Sequence, residues 1–391
     1  TTMVDYAFQS GASDIHIEPE QEYTLVRFRQ DGMLHDIAKL PKETHENIIT
    51  RLKVLARLAT DEHRVPQDGK IRYRSRWGES LDLRLSVIPT THAEKAVMRI
   101  LSEKSRRLSL SALGFSPEDL KKASSAIKKP WGMILVTGPT GSGKTTTLYA
   151  MLQILNRRDV NITAIEDPVE YEVEGINQIP VNEKTGLTLA KGLRSIVRQD
   201  PDIIMVGEIR DSDTANIAVN AAMTGHLVLS TLHTNDAATA FPRLSDMGVE
   251  NFLIASTANI VIAQRLVRKI CMNCISSVED DTIQKQMVEE FPEMKEFILK
   301  LTKKETLEGI RTFHGKGCHV CHESGYYGRV GIFEVLTVSE AVKEAIMRNE
   351  NADQIRAVAI KEGMLTMIQD GLRRALSGQT TLEEILRVTR E

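Results

Sequence analysis

The chain has 391 residues, of which 41% are hydrophobic and 26% are charged, and its formal net charge is −3. A chain of this length exceeds what one hydrophobic core usually organises, so we expect two or three domains. The small net charge excludes a strong global attraction to nucleic acid or anionic lipid. We expect no membrane span, because no apolar stretch is long enough, and no signal peptide. The first residues look like the middle of a helix, which predicts that the sequence begins inside a longer chain.

Residues 1–101 are predicted to form an α+β domain. The runs 14–18 and 81–87 alternate apolar and polar residues, as half-buried strands do. Residues 45–58 instead repeat apolar residues at helical spacing. A charged stretch follows this domain, and we interpret residues 102–115 as a linker.

Residues 116–266 are predicted to form an α/β core. Ser116 precedes a proline, which is typical of a helix start with the serine as N-cap. Apolar runs then alternate with helical stretches, the pattern of a mostly parallel sheet covered by helices. The predicted buried strands are 133–137, 161–165, 203–206 and 227–230.

A phosphate-binding loop lies between the first of these strands and the helix after it. The pattern G-x-x-x-x-G-K-T lets backbone N–H groups turn towards an anion, beside the positive end of the helix dipole. Lys144 is expected to reach the β- and γ-phosphates of ATP, and the Thr145 hydroxyl to bind Mg²⁺. The residues predicted to bind the nucleotide are Gly138, Pro139, Thr140, Gly141, Ser142, Gly143, Lys144, Thr145 and Thr146.

Two glutamates follow predicted core strands and are candidates for the chemistry. Glu208 comes one residue after Gly207, which occupies the place of the aspartate found in many such enzymes, and we expect Glu208 to hold Mg²⁺ through a water. Glu166 is the predicted general base, which would orient or deprotonate water. The two roles could be exchanged. His233 is either a γ-phosphate sensor or a structural hydrogen-bond partner, and its position alone leaves both readings open.

Arginine fingers are a further expected part of such a site. Arg84 and Arg99 lie on two predicted strands of the first domain, and Arg194 and Arg198 lie four residues apart on one helix face. For any one of these arginines, the alternative is a solvated or salt-bridged side chain.

All four cysteines occur as two C-x-x-C pairs in the segment 267–330, which is predicted to be a separate module. Paired thiols of this kind fit a reducing compartment and suit tetrahedral Zn²⁺. The zinc would be structural, because four thiolates leave no position open for water. Thioredoxin-type redox chemistry is the alternative, although the pairs lack its strand-to-helix placement. The predicted ligands are Cys271, Cys274, Cys318 and Cys321.

Residues 331–391 are predicted to form a C-terminal helical subdomain. A capping box that runs from Thr380 to Glu383 is predicted to start its last helix.

Taken together, these motifs resemble those of the secretion ATPases of type II secretion and type IV pilus assembly. Arg84 and Arg99 match the arginine-finger positions of that family. Ala93 departs from it, since a glycine is usual there, and the family's first N-terminal domain is absent from the sequence. The matching segments are 14–18, 138–145 (Walker A), 164–170 (Asp box), 207–211 (Walker B), 224–235 (His box) and the cysteine segment with 325–331.

The resemblance implies an α/β fold, with a RecA-like P-loop ATPase core, an N-terminal PAS-like α+β domain, a zinc-binding insertion and C-terminal helices. It implies a cytoplasmic, Mg²⁺-dependent, homo-hexameric ATPase at the inner face of the cytoplasmic membrane. Such an enzyme would act on an inner-membrane platform protein to power type IV pilus assembly or extension of a type II secretion pseudopilus. The cysteines favour assembly or secretion over pilus retraction.

Three alternatives stay open. A DNA-uptake pseudopilus would use the same kind of ATPase. A nucleic-acid translocase shares the core but is disfavoured by the aromatic content of 5% and the net charge, so no direct nucleic-acid partner is expected. A regulatory nucleotide-binding protein without turnover would need neither glutamate nor the paired arginines.

Overall fold

The structure is a computed structural model that describes residues 2–102, 109–279 and 282–390. These residues fall into two compact units, one within Thr1–Arg107 and one within Leu108–Glu391. Most of the charged part of the predicted linker, residues 103–108, lies outside the described residues. In the part of the chain that is described, no helix is both long and apolar enough to cross a membrane.

The first unit is an antiparallel six-stranded sheet with two α-helices, so it is α+β as predicted. Its strands are ordered β3-β2-β1-β6-β5-β4. Ile15 and Ile17 point into the core, while the residues that alternate with them lie on the opposite face. The elements are α1 (Thr2–Gln9), β1 (Ala12–Pro19), β2 (Tyr23–Gln30), β3 (Met33–Pro41), a 3₁₀ turn (Lys42–Thr44), α2 (His45–Ala56), β4 (Gln67–Arg74), β5 (Ser80–Pro89) and β6 (Glu94–Ser102).

The second unit begins with the α/β core. Its first helices have side-chain caps, since Ser109 accepts from the N–H of Ala112 and Ser116 accepts from that of Asp119. The elements are α3 (Leu110–Leu113), α4 (Pro117–Ile127), β7 (Gly132–Thr137), α5 (Lys144–Leu155), β8 (Ile162–Glu166), β9 (Asn177–Pro180), a 3₁₀ turn (Glu183–Thr185), α6 (Leu189–Ile196), β10 (Ile203–Val206), α7 (Ser212–Met223), β11 (Leu227–Leu232), α8 (Ala240–Asp246), α9 (Asn251–Thr257) and β12 (Ala258–Ile270).

The remaining elements carry the cysteines and close the sheet. They are β13 (Ile275–Val278), α10 (Thr282–Glu290), α11 (Met294–Thr302), β14 (Thr312–Gly315), a 3₁₀ turn (His319–Cys321), β15 (Tyr326–Thr337), α12 (Glu340–Met347), α13 (Ala352–Lys361), α14 (Met367–Leu376) and α15 (Leu382–Arg390).

One seven-stranded sheet organises the second unit, in the order β15-β12-β7-β11-β10-β8-β9. All its neighbouring strands are parallel except β15, which runs antiparallel to β12. The side chains of β7 are buried on both faces, with Met133 and Leu135 in one core and Ile134 and Val136 in the other. Helices cover both sides of such a sheet, which is why its strands read as continuous apolar runs.

The predicted bounds of the cysteine module, 267 and 330, both fall inside strands. β12 and β15 pair from Ile260 opposite Thr337 to Ile270 opposite Tyr326. The cysteine segment is therefore an insertion between two strands of the main sheet. The main chains of β12 and β15 stay paired beyond the predicted bounds, up to Ile270 opposite Tyr326. A pattern of apolar and polar side chains does not show how far such pairing extends.

The capping box predicted at Thr380 is displaced by one residue. The hydroxyl of Thr381 accepts from the N–H of Glu384 at 3.2 Å, so Thr381 is the N-cap of α15. The hydroxyl of Thr380 instead donates to the carbonyl of Arg268 at 2.7 Å. A tertiary contact with β12 thus takes the hydroxyl that the sequence pattern assigns to the cap.

Candidate functional site

The phosphate loop joins β7 to α5 with a backbone that strongly favours glycine at three positions. Gly138, Gly141 and Gly143 have φ angles of 140°, 80° and 91°. A Cβ atom on Gly138 would lie 2.4 Å from the carbonyl oxygen of Gln264, so the site also has no room for a side chain there. Strand before, helix after and glycine between are the arrangement in which backbone N–H groups hold phosphate.

Gln264 of β12 fixes this loop, and the sequence motifs did not identify it. Its Nε2 donates to the carbonyl of Ser142 at 2.7 Å, and its Oε1 accepts from the hydroxyl of Thr147 at 2.7 Å. The last part of the loop and the first turn of α5 are thereby tied to β12. The signal in the sequence is a glutamine directly after the apolar run 260–263, a place where a buried amide needs partners.

Lys144 and Ser142 bring polar groups to the loop. The ammonium group of Lys144 donates to the carbonyls of Gly138 at 2.8 Å and Pro139 at 3.1 Å. Burial lowers the pKa of Lys144, while the charge of Glu208 acts in the opposite direction. The buried hydroxyl of Ser142 has no hydrogen-bond partner within the described residues. Such an atom fits a loop built to surround an anion with several oxygens.

Glu208 and His233 meet at the same edge of the sheet. β10 and β11 are parallel neighbours, with Val206 opposite Ser230, so the residues that follow them are brought together. Oε2 of Glu208 lies 3.3 Å from Nε2 of His233, and Oε1 accepts from Arg210 at 2.5 Å. His233 is thus a contact of Glu208, and the charge of Glu208 also acts on Lys144.

Glu166 has a different environment, because its carboxylate is buried between α5 and β9. One of its oxygens accepts from the hydroxyl of Tyr149, and the other accepts from Nε2 of Gln178 at 3.0 Å. The same Nε2 lies 3.1 Å from the hydroxyl of Tyr149, which closes the set. Burial and the charge of Glu166 raise the pKa of Tyr149, so the tyrosine stays a hydrogen-bond donor.

Arg84 and Arg99 are direct partners on adjacent strands of the first unit. They lie opposite each other on β5 and β6, and Asp14 lies opposite Arg99 on β1. Nε of Arg99 lies 3.1 Å from Oδ1 of Asp14. The three charged side chains therefore form one row, on the face opposite the core.

The four cysteines converge at the ends of β12 and β15. The Sγ–Sγ distances are 3.8 Å between Cys271 and Cys318 and 3.8 Å between Cys274 and Cys321. Those distances exceed the S–S bond of a disulfide, about 2 Å. All four Sγ atoms lie within 4.8 Å of one another, close enough to hold one metal ion.

Backbone groups also face this sulfur cluster. The N–H groups of Cys318 and Gly325 donate to Sγ of Cys321 at 3.2 and 3.3 Å. Hydrogen bonds of this kind stabilise thiolates and orient metal ligands.

Residues 1–387 match the protein family described as "Type II/IV secretion system protein". The chain belongs to this family. One relative is the type IV pilus assembly ATPase PilB of Thermus thermophilus, which is 47% identical over 387 residues. The match covers 98% of this chain and 42% of that protein. The type II secretion system protein HxcR of Pseudomonas aeruginosa is 46% identical over 389 residues, 100% of this chain and 76% of that protein.

Solved structures of secretion and pilus ATPases resemble this type II/IV secretion system protein along its whole length. The pilus retraction motor PilT, solved with ADP, is 26% identical with a TM-score of 0.66, and the match covers 100% of this chain and 96% of that one. The DotB ATPase of Legionella pneumophila is 20% identical with a TM-score of 0.70, over 99% and 94% of the two chains, which shows a shared fold. The predicted family and α/β fold class are confirmed. The chain spans 42% and 66% of the length of the PilB proteins of Thermus thermophilus and Pseudomonas aeruginosa.

Proposed function

We propose that this chain hydrolyses ATP to power type IV pilus assembly or the extension of a type II secretion pseudopilus. The observation that carries the proposal is the grouping of Lys144, Glu208 and His233 beside a phosphate loop whose backbone strongly favours glycine at three positions. Relatives about as similar in sequence are named as pilus assembly ATPases and as type II secretion proteins, which supports both machines equally.

The loop backbone and Lys144 would hold the phosphates, with Thr145 binding Mg²⁺ directly and Glu208 binding it through a water. Bound Mg²⁺ would neutralise charge on the phosphate oxygens. The surroundings of the two glutamates favour Glu208, rather than Glu166, as the residue that acts on the attacking water. Both glutamates have partners, since Glu208 is held by Arg210 and His233. Glu166, however, is enclosed by Tyr149 and Gln178, whereas the charge of Glu208 also acts on Lys144 of the phosphate loop. We therefore assign the attacking water to Glu208 and the attachment of α5 to Glu166.

Arg84 and Arg99 are proposed to supply guanidinium groups to the γ-phosphate, where charge grows during phosphoryl transfer. Their position as cross-strand neighbours supports a common target, because it places the two side chains on the same face of the sheet. Hydrolysis would then be coupled to movement of the first unit.

The metal held by the four cysteines is proposed to be zinc. Tetrahedral coordination with Zn–S bonds of about 2.3 Å places sulfurs about 3.8 Å apart. Three of the Sγ–Sγ distances are 3.8, 3.8 and 3.6 Å, and all four sulfurs lie within 4.8 Å of one another. Four thiolates complete the coordination shell, so the zinc would be structural and would hold the insertion together.

The proposal also includes the assembly, location and partner of the protein. It would form a homo-hexamer, lie in the cytoplasm at the inner face of the cytoplasmic membrane, and act on an inner-membrane platform protein. These parts of the proposal rest on membership of the family. No direct contact with nucleic acid is proposed.

The test is release of inorganic phosphate from ATP by the purified chain, with and without Mg²⁺. Lys144→Ala serves as the control, because it removes the phosphate-binding ammonium group and should abolish turnover while the fold is kept. Mass measurement with bound ATP analogue should show a hexamer. Strong stimulation by DNA would favour a translocase, and ATP binding without phosphate release would favour a regulatory protein; either result would contradict the proposal.

A further inference from the structure

Asp14 is a buried acid that faces the guanidinium of Arg99 across the sheet of the first unit. The two residues are register partners on β1 and β6. Oδ1 of Asp14 accepts from Nε of Arg99 at 3.1 Å, and Oδ2 accepts from the hydroxyl of Ser13 at 2.8 Å. The carboxylate is thus held in place by a second donor and does not rotate freely.

The exposures of the two side chains differ sharply. The side chain of Asp14 is 9% exposed, whereas that of Arg99 is 58% exposed. Nε is the inner nitrogen of the guanidinium, so the acid holds the group from its inner edge and leaves its outer side towards solvent. A guanidinium is planar, so a hydrogen bond to Nε restricts where its outer N–H groups lie.

We infer that Asp14 is a positioning residue for Arg99, one that orients its guanidinium for contact with an anionic oxygen. The inference rests on the proposed function, in which Arg99 meets the γ-phosphate. Preorganised donors stabilise a transition state without further reorganisation, and small misplacement of such a group reduces the rate strongly. The negative charge of Asp14 also offsets the repulsion between Arg99 and its neighbour Arg84.

The same unit contains a matched pair that has no expected role in hydrolysis. Asp5 of α1 accepts from Nε of Arg76 at 3.0 Å, and the side chains are 5% and 61% exposed. Chemistry, distance and burial therefore agree closely with those of Asp14 and Arg99. Asp5→Asn therefore measures how the loss of a buried acid beneath an exposed arginine changes the stability of the first unit.

The experiment compares Asp14→Asn, Asp5→Asn, Arg99→Ala and the double variant of Asp14→Asn with Arg99→Ala in the full chain. Steady-state hydrolysis gives kcat and KM for ATP, and thermal unfolding checks the fold. We expect Asp14→Asn to lower kcat by about 10- to 100-fold with a much smaller change in KM. Asp5→Asn should leave kcat unchanged. On the Arg99→Ala background, Asp14→Asn should cause no further loss, because its effect passes through Arg99.

Each contrary result has its own meaning. If Arg99→Ala lowers kcat and Asp14→Asn does not, the positioning role is wrong while the proposed function stands. An equal loss from Asp14→Asn with and without Arg99, or from Asp5→Asn, would also overturn the role. Full kcat in Arg99→Ala would remove Arg99 from the proposed function, and the inference with it. If Asp14→Asn does not fold, Asp14→Glu, which keeps the charge and displaces the carboxylate, replaces it under the same criteria.

Discussion

Nε2 of His233 lies 3.3 Å from Oε2 of Glu208, although 25 residues separate the two in the chain. The contact results from the parallel register of β10 and β11, which end beside each other. His233 is thereby a partner of the acid proposed to act on water. His233 therefore has a functional role if Glu208 acts on the attacking water, and a structural role if it does not.

The two glutamates should respond differently to loss of charge. Glu208→Gln keeps the shape and loses the base, so we expect kcat to fall by about 10²- to 10⁴-fold while ATP still binds. Glu166→Gln should weaken the attachment to Tyr149 and Gln178, with a lower unfolding temperature and a smaller loss of kcat. Phosphate release and nucleotide binding are measured for both variants. A normal rate in Glu208→Gln beside an inactive, stable Glu166→Gln would restore Glu166 as the base.

The paired arginines should affect the transition state more than the ground state. Arg84→Ala and Arg99→Ala are each expected to lower kcat by about 10³-fold, with a much smaller effect on ATP affinity. Arg→Lys should restore little, because an ammonium lacks the planar fork. Hydrolysis and binding measured side by side give the answer. Full activity in both alanine variants would exclude the first unit from catalysis.

The sulfur cluster should contain about one Zn²⁺ per chain in metal analysis of the purified protein. Cys271→Ser should lose the metal and destabilise the insertion, with a smaller effect on phosphate release. Met272→Ala is the control, since this exposed residue lies between the ligands of the first pair. Absence of zinc, with Cys271 and Cys318 rapidly alkylated in the native protein, would contradict the assignment.

Glu384 should make the protein sensitive to acid. It accepts from Arg268 at 2.5 Å and from Arg387 at 2.9 Å. Burial alone would raise its pKa, but the hydrogen bonds from these arginines outweigh burial and lower the pKa to about 2. The folded-state pKa is below the ordinary value of 4.5, so this stabilisation is complete above about pH 4.5 and is lost as the pH falls towards 2.

Glu384→Gln tests this prediction. At neutral pH it should lower the free energy of unfolding by about 3 kcal/mol, because it removes the buried negative charge whose lowered pKa records its favourable interaction with the two arginines. Urea unfolding at several pH values should show the gap between wild type and variant closing as the pH falls below about 4.5. Glu340→Gln, which removes an exposed acid paired with Lys343, should leave the free energy of unfolding nearly unchanged. A gap that stays constant down to pH 2 would disprove the linkage.

The sequence alone determined the features that depend on neighbours in the chain. The phosphate loop is specified by three glycines, a lysine and a threonine that follow an apolar strand and lead into a helix. A loop that wraps its backbone around a phosphate needs these residues at fixed positions. The buried strands were predicted from continuous apolar runs, since a sheet covered on both faces buries every side chain. Each C-x-x-C pair is local as well, but only the fold brings the two pairs, which lie 47 residues apart, into one four-sulfur cluster.

Only the tertiary structure decided which distant groups meet. It placed Glu166 against Tyr149 and Gln178, and Gln264 beneath the phosphate loop, because both contacts depend on the order of strands in the sheet. It paired Asp14 with Arg99 through strand register across 85 residues of chain. A pattern of residue types records that a side chain is polar and half-buried, but its partner is fixed by which strands pair and in what register.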